Sequence, residues 1–72
     1  MTDKEKLLLL EEMLDIEEGT LSKEMELSDV EGWDSMAAIS LVALLDDKFS
    51  KAISATTIKG FKYVKDILEV MN

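Results

Sequence analysis

Cysteine, histidine and proline are all missing from the 72-residue chain. Without cysteine there is no disulfide, and without cysteine and histidine a structural zinc site is excluded. Stability must come from a packed core, although a domain this small buries only about 60% of the surface that its unfolded chain exposes. The same absences restrict chemistry. The commonest general base at neutral pH and the most nucleophilic side chain are both missing. Carboxylate or Ser–Lys catalysis stays formally open, but so short a chain leaves little material for a water-excluding pocket. An enzyme is not expected. Long hydrophobic runs are lacking too. The stretch from Met36 to Leu45 contains Ser40 and is too short to span a bilayer. The Leu7–Leu10 run is flanked by charges of both signs, unlike a signal peptide, so the expected location is cytoplasmic.

What is present favours a helical domain. Hydrophobic residues make up 47% of the chain, more than a disordered acidic chain carries. Leu, Met, Ala, Glu and Lys dominate, all of them good helix formers. Sixteen acidic residues against eight lysines give a net charge of −8, which repels phosphate backbones and anionic membranes. Nucleic acid and membrane insertion are therefore not expected, and basic partner proteins fit better.

Periodicity divides the chain into four helical segments. Thr2-Asp3-Lys4-Glu5 has the spacing of a capping box, with Thr2 as N-cap. Leu7, Leu10, Met13 and Leu14 then share one face, predicting a helix from about Asp3 to Asp15 that fades near Gly19. Leu8 points away from that stripe. From Ile16 to Gly32 no period is sustained, and a stretch of this length is expected to be an ordered crossover pinned by Leu21, Met25, Leu27 and Val30. Beyond Ser35, residues Ala38, Leu41, Val42, Leu45 and Phe49 share the core face of a second helix. Met36, Ile39 and Ala43 form a second, narrower apolar strip. Ser54 is the expected N-cap of a short helix, Ala55 to Lys59, stopped by Gly60. Val64, Ile67, Leu68 and Met71 mark a last helix. The expected fold is all-α: one domain over residues 1–72, a small four-helix bundle with three longer helices, a short third and a long first crossover.

The triplet Asp34-Ser35-Met36 at the start of the second helix resembles the Asp-Ser-Leu motif of acyl carrier proteins. The likeness continues without a gap through Ile39, Leu41, Val42, Leu45, Phe49 and Ile53 to Val64, Ile67 and Leu68, with Asp46 and Asp47 matching the family's acidic pair. The first helix and crossover match only in length and general pattern. The resemblance implies a monomeric carrier with phosphopantetheine attached covalently to Ser35. It also implies a role for Asp34 in recognition by the modifying phosphopantetheinyl transferase. Acyl groups would ride as thioesters on the thiol of that arm, between acyl-loading and acyl-processing enzymes. Met36, Ile39, Ala43, Asp46 and Asp47 would form the docking surface for these partners.

Each of these residues also has a plainer reading. Ser35 or Asp34 could simply cap the helix, since both types are preferred there. Met36, Ile39 and Ala43 could be core, because a four-helix array buries several faces. Packing against the crossover is the expected role of Trp33. Asp15 to Glu26 faintly echoes a calcium loop, but its turn glycine is misplaced, and no metal site is expected.

Two departures from the family pattern bear on the pathway. Carriers of primary fatty-acid synthesis usually have an acid where Ser40 stands, and an acidic third helix, whereas residues 48–65 here hold five lysines and no acid. The expectation is therefore a dedicated carrier in a specialised lipid, polyketide or related pathway. The alternatives are a housekeeping fatty-acid carrier, an aminoacyl carrier, and an unmodified helical adaptor. Gly-Trp-Asp-Ser points away from peptidyl carriers, whose attachment site usually begins Gly-Gly.

Overall fold

A computed structural model describes residues 1–72 and contains four α-helices: α1 (Asp3–Leu14), α2 (Ser35–Phe49), α3 (Ala55–Lys59) and α4 (Val64–Val70). Helix α1 packs against α2 and α4, and α2 packs against α3. The helix ends follow their local chemistry. Thr2 and Glu5 form the expected capping box, Glu5 N–H donating to Thr2 Oγ1 at 3.2 Å and Thr2 N–H to Glu5 Oε1 at 2.9 Å. The Thr2 backbone amide, helped by the Thr2 hydroxyl, holds the Glu5 carboxyl below its ordinary range. Asp15 ends α1 in the left-handed conformation (φ 57°), which Asp tolerates better than most residues. Ser54 caps α3 by accepting from Thr57 N–H at 3.2 Å. Asp66 turns back at the start of α4 to accept from the amides of Tyr63 (2.9 Å) and Lys62 (3.0 Å), and these two bonds lower its pKa.

The core joins Leu10 of α1, Ala38, Leu41 and Leu45 of α2, Ile58 of α3 and Val64, Ile67 and Leu68 of α4, with Met71 below them. Leu41, Leu45, Ile58 and Met71 are wholly buried. Val42 and Phe49, expected on the core stripe, lie on its edge and are only partly buried. Ala37 is buried although it belongs to neither apolar strip, because α2 is covered on more than one side. Leu8 is partly shielded in a cleft beside Leu7, Glu18, Gly19 and Leu21.

The crossover is ordered, as expected, and three of its four proposed anchors, Leu21, Leu27 and Val30, are buried, with Met25 packed beside them. Its middle forms a short 3₁₀ turn, Leu27–Asp29. Two further devices hold it besides the apolar anchors. The first is backbone pairing with the segment before α4: Leu27 N–H donates to Lys62 O (2.8 Å), Val64 N–H to Met25 O (2.9 Å) and Lys65 N–H to Lys23 O (3.0 Å). The second is Glu11, only 3% exposed, whose Oε2 accepts from the amides of Gly19 and Leu21, both at 3.0 Å. The crossover is thereby tied to α1 at one end and to α4 at the other.

Candidate functional site

The start of α2 is built by Asp34. Its backbone is extended (φ −149°), and its carboxylate accepts from Ala37 N–H at 2.8 Å. That bond satisfies one of the amides a helix start leaves unpaired. Asp34 therefore takes the capping role that either residue could have filled, and Ser35 occupies the first helical position. Its hydroxyl is exposed, at the positive end of a 15-residue helix. Trp33, just before the cap, is partly buried against the core and lines a cleft with Leu27 and Ser28 of the crossover, as expected.

The second apolar strip faces solvent. Met36 is 69% and Ile39 53% exposed, and Ala43, Asp46 and Asp47 are exposed one and two turns further on. A single ridge on α2 thus carries Met36, Ile39 and Ala43, with the acid pair at its far end. On one side an open groove of about 560 Å³ separates it from the α2–α3 connection, with Ile39, Val42, Ala43 and Ile53 along its walls. On the other side a second groove runs between α1 and α2, walled by Leu9, Met13, Ala43 and Leu44. Ile39 and Ala43 are not core residues. Met36, which a four-helix array could have buried, is the most exposed large hydrophobic side chain of the chain.

Chemically, this arrangement offers one accessible hydroxyl at a helix N-terminus beside an apolar ridge. It fits an anionic group esterified to Ser35: the hydroxyl is spared capping, nothing buries it, and the helix start favours negative charge. Phosphopantetheine, linked through a phosphodiester, meets that description. Glu11 and Lys59 were not singled out by sequence reasoning. Glu11 had a signal, since an acid three and four residues from Leu14 and Leu7 interrupts the apolar face of α1. Lys59 lines the Trp33 cleft only because α3 folds back toward the crossover.

Comparison with known proteins agrees with the geometry. A family model described as "Phosphopantetheine attachment site" matches residues 7–71. The chain is 36% identical over 58 residues to an acyl carrier protein of Phytoplasma mali (strain AT), covering 81% of this chain and 69% of that relative. No solved structure matches it significantly. No helix is long and apolar enough to cross a membrane. Nearly the whole chain is thus spanned by the family model, and on that match it belongs to the phosphopantetheine-dependent acyl carrier proteins, which carry reactants for other enzymes and are not themselves catalysts.

Proposed function

We propose that Ser35 is the attachment residue of the phosphopantetheine arm, and that the chain carries acyl intermediates of a specialised lipid, polyketide or related pathway in the cytoplasm. The observation that carries the first part is the division of labour at the start of α2. Asp34 caps the helix, so the exposed Ser35 hydroxyl has no structural task. When attached, phosphopantetheine supplies the thiol on which an acyl group is held as a thioester. The protein's own residues do the rest. Ser35 fixes the arm at the helix start, whose dipole favours the phosphodiester charge. Asp34 keeps that turn in place and presents a carboxylate to the transferase. Met36, Ile39 and Ala43 offer an apolar ridge to the loading and processing enzymes, with Asp46 and Asp47 matching cations on them.

The specialised pathway rests on charge. Ser40 is exposed on α2 where an acid would extend the acidic ridge, and α3 carries Lys59 and no acid. A partner that grips a continuous acidic surface would find Asp34, Asp46 and Asp47 alone. The test is co-expression with a broad-specificity phosphopantetheinyl transferase, followed by intact-mass measurement. The wild type should gain one phosphopantetheine, and Ser35→Ala should gain none while keeping its helical circular dichroism. A mass gain on Ser35→Ala would place the arm elsewhere. An unmodified wild type would leave the chain an adaptor.

A further inference from the structure

Beside the start of α2 lies a cleft of about 340 Å³ that the docking ridge does not use. Its apolar lining comes from Leu27, Trp33 and Phe61, and its polar lining from Glu26, Ser28, Lys59 and Lys62. Three separate parts of the chain build it: the 3₁₀ turn of the crossover, the residue before the α2 cap, and the end of α3 with the loop that follows. The backbone bond from Leu27 N–H to Lys62 O, at 2.8 Å, ties the first part to the third. The cleft is therefore a fixed feature and not a gap between loose loops.

We propose that this cleft seats the phosphate-proximal half of the prosthetic arm against the protein. The inference rests on the attachment at Ser35 proposed above and adds a binding site to it. Proximity is the first argument. Trp33 is two residues from Ser35, so their Cα atoms lie within about 7 Å. Charge is the second. Asp29, Glu31 and Asp34 all lie within six residues of Ser35 and repel a phosphodiester. The cleft sets two lysines, Lys59 and Lys62, against one acid, Glu26. Lys62 is already paired with Glu26 at 3.9 Å, whereas Lys59 has no carboxylate at ion-pair distance. Lys59 is thus the free counter-charge. The third argument is the match in polarity. Pantetheine alternates a gem-dimethyl group with amides, and the cleft combines two partly buried aromatic residues with Ser28 and charged side chains. Apolar groups on the arm would cover the faces of Trp33 and Phe61, and polar groups would reach the rim. The α2–α3 groove suits this half of the arm less well. It begins a full turn beyond Ser35, at Ile39, and its single lysine, Lys51, is matched by one acid, Asp46, so that it has no cation in excess.

Trp33 is the only tryptophan in the chain, so the cleft carries its own reporter. Unmodified and fully loaded protein, each verified by intact mass, are compared by tryptophan emission and by acrylamide quenching. Loading should shift the emission to shorter wavelength and reduce the quenching. Ser35→Ala taken through the same treatment should show neither change. Lys59→Glu, driven to complete loading, should lose the protection and be quenched like unmodified protein. A fully loaded wild type with unchanged emission and quenching would overturn the seat while leaving the attachment intact. Undiminished protection in loaded Lys59→Glu would overturn the role of the cation. Failure to gain mass would remove the attachment at Ser35, and the seat with it.

Discussion

Asp34 and Ser35 are neighbours with opposite duties, and a single hydrogen bond separates them. The bond from Ala37 N–H goes to Asp34, so substitution of Ser35 leaves the helix start intact. Glu11 has the opposite profile: it does structural work at a position where an acid looks misplaced. Its carboxylate is buried because two amides of the crossover, those of Gly19 and Leu21, need an acceptor there. Removing it takes the acceptor from both donors, and an unsatisfied buried group costs about 1–3 kcal/mol. Glu11→Ala should therefore destabilise the domain by about 2–4 kcal/mol in urea unfolding, since the Gly19 amide is only part-buried and water can serve it. Glu11→Gln keeps an acceptor oxygen and should cost less. If Glu11→Ala unfolds at the wild-type urea concentration, the crossover is held by its apolar anchors and backbone pairing alone.

At the scale of elements, α2 does two jobs with two faces. Leu41 and Leu45 are completely buried, while Ile39, two residues before Leu41, is more than half exposed. Truncation should separate the two faces cleanly. Leu41→Ala should cost about 2–5 kcal/mol, as buried leucines do. Ile39→Ala should cost well under about 2 kcal/mol, because little of its surface leaves water on folding. Loading by the transferase or a partner enzyme should nevertheless slow in Ile39→Ala. A drop in melting temperature matching that of Leu41→Ala would return Ile39 to the core. Helix α3, only five residues long, cannot be stable by itself. It is fixed by the Ser54 cap and by Ile58, which is wholly buried in the core. Its placement is what brings Lys59 to the cleft beside Trp33.

Over the whole molecule, charge is poorly balanced in space. Residues 11–34 hold ten acids and one lysine, while residues 48–65 hold five lysines and no acid. Backbone pairing lays the two blocks side by side, yet only one ion pair, Lys62–Glu26 at 3.9 Å, joins them. The other ion pair, Lys23–Asp3 at 3.4 Å, is also exposed. Exposed pairs contribute about 0–1 kcal/mol each. Repulsion among the acids should outweigh that, given the net charge of −8. Added salt shortens the Debye length from about 30 Å at 0.01 M to about 8 Å at 0.15 M, and should raise the melting temperature at neutral pH. Millimolar divalent cations should act in the same direction by diffuse binding. A melting temperature that falls with sodium chloride would show that attraction between the blocks dominates.

The helices, the caps at Thr2 and Ser54 and the motif at Ser35 were legible in the sequence because each depends on residues a few positions apart. Thr2 with Glu5, Ser54 with Thr57, and the three- and four-residue spacing of Val64, Ile67 and Leu68 are local relations, and local relations leave a local pattern. The split of α2 into a core stripe and a second strip was legible for the same reason. Its meaning was not, because periodicity shows that two faces are apolar but not how many faces the neighbours cover. The fold decided that Met36 and Ile39 face solvent while Ala37 is buried. It also decided whether Asp34 or Ser35 took the cap, since both residue types cap well and only the backbone at residue 34 chooses between them. Glu11 reaching Gly19 and Leu21, the crossover pairing with Lys62, and Lys59 meeting Trp33 join residues from eight to more than thirty positions apart. Such contacts exist only once the chain has closed on itself, because no local period encodes which distant groups packing will bring together.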